Sequence, residues 1–161
     1  LRDTPKRVAK AFRAYTAGYS QDPKQVIGDG MFEAETDEMV LVKDIELYSL
    51  CEHHLAPIIG RVHIGYMPRS RVVGISKLAR VVEIFAKRLQ TQETMTAQIC
   101  DAITDSLAPM GVAVLIDAEH QCMSTRGVHH KDVSTITTQF TGVFKSDADL
   151  RNRFLRMAGK G

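Results

Sequence analysis

Residues 76–107, SKLARVVEIFAKRLQTQETMTAQICDAITDSL, decide the fold. Ser76 opens a helix whose Leu78, Val81, Val82, Phe85 and Leu89 form one apolar stripe at helical spacing. A second helix runs from about Gln92 to Leu107 with Met95, Ile99, Ile103 and Leu107 turned inward; Pro109 and Gly111 break it. Each helix hides one face, so the pair needs a surface to lie on. The flanking segments supply it. Residues 39–50 (MVLVKDIELYSL) and 57–67 read as strands before the pair, with a turn from Pro68 to Arg71 leading into the first helix. Residues 112–123 (VAVLIDAEHQCM) and the Thr- and Val-rich 133–144 read as strands after it. Thr4-Pro5 caps a first helix carrying Val8, Ala11, Phe12 and Tyr15, with Gly18 as its stop. Residues 20–37 read as a loop with some short structure, and 147–158 as a closing helix. The order helix, two strands, two helices, two strands, helix predicts the α+β class: a four-stranded antiparallel sheet covered on one face by helices. Two sheet edges then lack a partner, and assembly is one remedy.

The totals fit one domain over residues 1–161. A hydrophobic share of 44% and a charged share of 25% are ordinary for a soluble globular chain. A net charge of +2 gives no argument for nucleic acid as a partner. No apolar run approaches the ~20 residues of a membrane span, and the charged start does not resemble a signal peptide. Three cysteines make a poor disulfide framework and suit a reducing cytoplasm.

Two short segments carry the chemistry. Cys51-Glu52-His53-His54 follows a strand, and Cys51 and His54 have the spacing of a metal hook. Far along the chain stands His120-Gln121-Cys122, and Cys122 is a third ligand candidate. A Cys/His/Cys set leaves one position of a tetrahedral zinc open, where the pKa of a water falls from about 15.7 to roughly 7. Alternate residues of a strand share a face, so His120 should sit beside Cys122. Adjacent His53 and His54 rarely bind one metal together, which leaves His53 to face a substrate. Two plainer readings compete. His120 as a fourth ligand would make the zinc structural, or the thiols are simply buried and the histidines hydrogen-bonded. Cys100, inside a helix, reads as a packed thiol. His63 reads as structural or surface, and His129-His130 as part of a solvated turn.

Misplaced charge gives a second signal. Helix N-termini favour acids, yet the first helix opens with Lys6, Arg7 and Lys10, and the helix at Ser76 with Lys77 and Arg80. Cations there suit a bound phosphate, and Arg126 adds another charge near the metal candidates. A basic surface patch is the alternative. Glu93 could accept the paired N–H groups of guanine, although helix-dipole pairing or a plain surface acid explains it better from the residues alone.

The motifs CEHH at 51–54, GISKLAR at 74–80, QTQE at 90–93, EHQCMSTRG at 119–127 and TPKRVAK at 4–10 together resemble the GTP cyclohydrolase I family, zinc enzymes that open pteridine (folate and tetrahydrobiopterin) biosynthesis. The likeness covers nearly the whole chain, without the family's variable N-terminal extension. It implies the T-fold: a four-stranded antiparallel sheet with two antiparallel helices between its middle strands, plus N- and C-terminal helices. It implies a homodecamer of two pentamers with active sites between subunits. Cys51, His54 and Cys122 match the zinc ligands, and His53 and His120 the proton-handling histidines. Glu93, with Gln92 beside it, matches the guanine anchor. Ser76, Lys77, Arg80 and Arg126, with Arg7 and Lys10, match the groups around ribose and triphosphate. The implied reaction is hydrolysis of GTP at C8, loss of formate and rearrangement to 7,8-dihydroneopterin triphosphate. That is the work of a hydrolase acting on cyclic amidines, with Zn2+ as cofactor. Relatives of aldolase or nitrile-reductase type share the purine-anchoring glutamate, and the Cys/His/Cys set argues against them. His129-His130-Lys131-Asp132 matches no family pattern.

Overall fold

The computed structural model describes residues 1–33 and 35–159. The helices are α1 (Thr4–Tyr15), α2 (Pro23–Gly28), α3 (Ile75–Ala86), α4 (Gln92–Leu107), α5 (Gln121–Ser124), α6 (Val143–Ser146) and α7 (Ala148–Met157), with a 3-10 turn at Ala17–Ser20. The strands are β1 (Met31–Glu33), β2 (Val40–Cys51), β3 (Pro57–Met67), β4 (Arg71–Val73), β5 (Leu89–Gln90), β6 (Gly111–His120) and β7 (Ser134–Phe140). The main sheet runs β5-β2-β3-β6-β7, and β1 pairs with β4 in a separate ribbon. The four long strands are antiparallel, and α3 and α4 are inserted between the middle two, β3 and β6.

Period-two alternation in β6 splits the core. Val112, Val114, Ile116 and Ala118 join the large cluster with Leu78, Val81, Met95, Ile99 and Ile103 of the helix pair. Ala113 and Leu115 point the other way, to Phe144 and Phe154. The expectation of helices on one face is therefore corrected: α6 and α7 cover part of the second face. The period of β6 alone, apolar on both sides through residues 111–116, marks a strand buried twice. Leu78, Val81 and Val82 are at most 1% exposed, and each such side chain contributes about 1.5–3 kcal/mol on burial.

Three local departures shape the surroundings of the sheet end. The α3 stripe stops at Ala86, and Leu89 enters β5, parallel to the end of β2. The strand expected over 112–123 ends at His120, where α5 begins. Pro23 starts α2 inside the expected loop, with the Asp22 carboxylate accepting from Lys24 N–H at 2.9 Å. His63 is structural: it is buried in β3, and its Nδ1 accepts from Asp44 N–H at 3.3 Å where β2 bulges. Among the described residues no helix is long and apolar enough to cross a membrane.

Candidate active site

Register gathers the chemistry at one end of the sheet. Leu50 pairs with Pro57, and Ile58 with His120, so the end of β2, the start of β3 and the end of β6 lie side by side. Between β2 and β3 the chain turns tightly. Cys51 N–H donates to Ala56 O, and Leu55 N–H to Cys51 O, both at 2.8 Å. Leu55 takes a φ of 54°, a left-handed conformation that costs about 1–2 kcal/mol and is held by those two bonds. The turn brings His54 back over Cys51, with Nδ1 3.8 Å from Sγ. From the other side, α5 carries Cys122 in its first turn. One ligand atom each from Cys51, His54 and Cys122 lies within 4.8 Å of the other two.

This trio fits a zinc ion. Tetrahedral Zn–S and Zn–N bonds of about 2.3 and 2.0–2.1 Å separate the donors by roughly 3.5 Å, close to the sulfur–nitrogen distance of 3.8 Å. Burial raises the Cys122 thiol pKa, the Cys51 sulfur raises it further, and Arg126 opposes weakly. Two thiolates this close repel each other, and a divalent cation between them removes that cost. Cys51 is buried, Cys122 half-buried and His54 exposed, so one side of the trio is open.

His120 is near the trio but outside it. Its Nε2 lies 2.7 Å from Gln92 Oε1, and it is absent from the converging donors. Because Cys122 sits on a helical turn, strand alternation is not what relates it to His120. Burial lowers the His120 pKa, and the Glu93 carboxylate partly restores it. Glu93 is close because of β5: Leu89 and Gln90 pair with Leu50 and Cys51, and Glu52 N–H donates to Gln90 O at 2.9 Å. Those contacts deliver the start of α4 to the end of β2. Glu93 itself is exposed and forms no ion pair among the described residues. Gln92 is buried, and its amide is occupied by protein groups. His53 is exposed, 3.6 Å from Glu52 Oε1 and edge-on to the His54 ring.

The cations stand apart. Ser76, Lys77 and Arg80 lie along α3, Arg7 and Lys10 along α1, and Arg126 just past α5. Neither α1 nor α3 has an acid in its first turn. Among the described residues none of these five cations forms an ion pair. Among the described residues of one chain no ion pair joins the α1 or α3 cations to the trio. A surface hollow of about 800 Å³, lined by Glu33, Glu35, Thr36, Asp37, Arg69 and Ser70, contains none of these residues. His129 and Asp132 adopt φ values of 53° and 60° in an exposed loop that stays out of the trio.

Sequence reasoning missed Gly30. A Cβ there would lie 2.5 Å from Lys77 Cγ and 2.7 Å from its Cε, so the missing side chain leaves the path that the Lys77 stem follows. No local pattern signals that contact.

A model of the family described as GTP cyclohydrolase I matches residues 1–159. The chain belongs to the GTP cyclohydrolase I family. It is 67% identical over 161 residues to GTP cyclohydrolase 1 of Hyphomonas neptunium, covering 99% of this chain and 78% of that one. It is 59% identical over 158 residues to GTP cyclohydrolase 1 of Maricaulis maris, covering 98% and 77%. Among solved structures, an archaeosine synthase QueF-Like in the apo form superposes with a TM-score of 0.56 at 17% identity, over 67% of this chain and 97% of that chain. That last likeness concerns the fold alone, and it agrees with the T-fold expectation. Membership in the GTP cyclohydrolase I family carries the enzyme class with it: the chain is a GTP cyclohydrolase of the hydrolase class.

Proposed function

We propose that this chain hydrolyses GTP at C8, releases formate and yields 7,8-dihydroneopterin triphosphate with the residues of this site. The observation that carries the reading is the convergence of Cys51, His54 and Cys122 within 4.8 Å, with His120 and Glu93 beside them. Cys51, His54 and Cys122 hold zinc, which when bound supplies Lewis acidity and makes water a nucleophile near neutral pH. Glu93 accepts the paired N–H groups of guanine, two charge-assisted bonds that orient the base. Its free carboxylate supports that role. Lys77, Arg80, Arg126, Arg7 and Lys10 take the triphosphate, and Ser76 donates to the polar groups around the ribose. Their lack of carboxylate partners supports an anion as the missing one. His120 exchanges a proton with the purine ring, and His53 with the opening ribose. An imidazole both donates and accepts protons, the property that general acid–base work requires.

One copy does not complete this site. The trio is open on one side, and the cations of α1 do not reach it within the chain. α1 buries none of its residues, and the cross-strand neighbours Tyr48 and Ile59 are exposed on the sheet. These features support a homo-oligomer, a decamer of two pentamers in this reading, with sites between subunits. A reducing compartment, the cytoplasm, keeps the thiols available for metal.

The test is GTP incubation with the zinc-loaded protein, following formate and fluorescent oxidised neopterin. Both should appear together and vanish with a chelator. Firmly bound zinc with neither product would overturn the reading. A purely structural zinc with His120 as fourth ligand is disfavoured because His120 is not among the described residues whose donor atoms converge with those of Cys51, His54 and Cys122.

A further inference from the structure

Gln92 is 1% exposed, and its amide is fully committed inside the chain. Its Nε2 stands 2.8 Å from Thr135 O, 3.2 Å from Ile116 O and 3.1 Å from Thr137 Oγ1. Main-chain carbonyls only accept hydrogen bonds, so the NH2 group must face them. Turning the amide over would set oxygen against two oxygens in a buried place. Oε1 is thereby fixed at the other end, 2.7 Å from His120 Nε2. An amide oxygen also only accepts, so His120 Nε2 must carry the hydrogen. A neutral imidazole has one donor and one acceptor nitrogen, which leaves the lone pair on Nδ1.

The frame behind this bond is rigid. Ile116 pairs with Thr137, and Ala118 with Thr135, across β6 and β7. Thr96 Oγ1 bonds both Gln92 O and Thr137 Oγ1 at 2.7 Å, locking the first turn of α4 to β7.

We propose that Gln92 is a positioning residue, not a contact to GTP: it fixes His120 as the Nε2–H tautomer, so that Nδ1 is the atom that exchanges a proton with the substrate. In that exchange one proton moves between Nδ1 and a purine ring nitrogen. The Nε2–H bond to Gln92 persists in both states of the ring, and Gln92 gains and loses nothing. The catalytic half of this statement rests on the proton-exchange role of His120 in the proposed function, whereas the tautomer does not.

The experiment has two parts. Nitrogen-15 NMR of the histidine-labelled, zinc-loaded enzyme, with His120 assigned through His120→Asn, should show the Nε2–H pattern when the ring is neutral. An Nδ1–H pattern would overturn the proposal even if the variants failed to fold. Second, Gln92→Leu should lower kcat by roughly 10²-fold, the scale of a misdirected general acid–base group, with KM for GTP and zinc content unchanged and the tautomer preference lost. A raised KM at wild-type kcat would instead make Gln92 a substrate contact and overturn the assignment. Absence of turnover in the wild type, with the Nε2–H pattern present, would remove the catalytic half alone.

Discussion

The two halves of the candidate site are built in opposite ways. At the sheet end, Cys51 is held by main-chain bonds on both sides, His54 by the turn that follows it, and His120 by Gln92. On α1 and α3, Arg7, Lys10, Lys77 and Arg80 extend without carboxylate partners among the described residues. In the proposed function the contrast follows from the tasks. A reacting centre must be positioned before substrate arrives, because misplacement costs rate steeply. A triphosphate can be gathered by mobile charges, which need reach more than exact direction. Adjacent Gln92 and Glu93 repeat the contrast within one helical turn: the first is buried and satisfied, the second exposed and without an ion pair among the described residues.

Changes at the sheet end should therefore cost more than changes on the helices. Cys122→Ala should remove zinc and turnover together, forfeiting the several kcal/mol that a Lewis acid supplies; metal analysis and formate release on one sample check it. Glu93→Gln should keep zinc yet lose about 3–5 kcal/mol, two charged hydrogen bonds, from kcat/KM. Lys77→Ala or Arg80→Ala should each raise KM for GTP about 10- to 100-fold with kcat little altered, the worth of one charge-assisted bond, and the loss should shrink at high salt. Gly30→Ala is smaller still. Its new methyl meets only the flexible Lys77 stem, so thermal stability should hold while KM rises a few-fold; a large stability loss with unchanged KM would break the link to Lys77.

Proton competition sharpens the same contrast. The Cys122 thiol binds its proton more tightly because of burial and the neighbouring Cys51, and ligation requires it deprotonated. Zinc retention against a chelator should weaken as pH falls. The helix thiol Cys100 is raised by burial as well, but it stands outside the trio. Burial pushes it up to about 12, above the unfolded value near 8.5. Its contribution to stability is whole below the unfolded value and is lost as pH rises towards about 12. Stripped of metal at neutral pH, the protein should alkylate at Cys122 and spare Cys100, a pattern peptide mapping would read.

Much of the fold and the Cys51, His54 and Cys122 grouping was legible in the sequence because periodicity and ligand chemistry are local signals. The stripes of residues 76–107 place α3 and α4, and Cys51, His54 and Cys122 announce a metal by type and spacing. What escaped depends on partners distant in sequence. Leu89 continues the α3 stripe, yet pairing with Leu50 draws it into β5. Cys122 extends the alternation of β6, yet the chain coils at Gln121, and only the structure shows that it reaches Cys51 from a helical turn. Phe144 and Phe154 look like ordinary helix residues until Ala113 and Leu115 are seen to need a cover. The role of Gln92 was hidden behind its neighbour Glu93, because its acceptors lie on two strands later in the chain.

The proposed chemistry at the sheet end turns on an open, three-ligand metal centre with His120 outside it. X-ray absorption at the zinc edge of the purified protein reads that coordination without intermediaries. Such a centre gives two sulfur ligands, one imidazole nitrogen and one further light atom without imidazole scattering. Two sulfurs with two imidazoles would close the site, make the zinc structural and contradict the open, three-ligand centre.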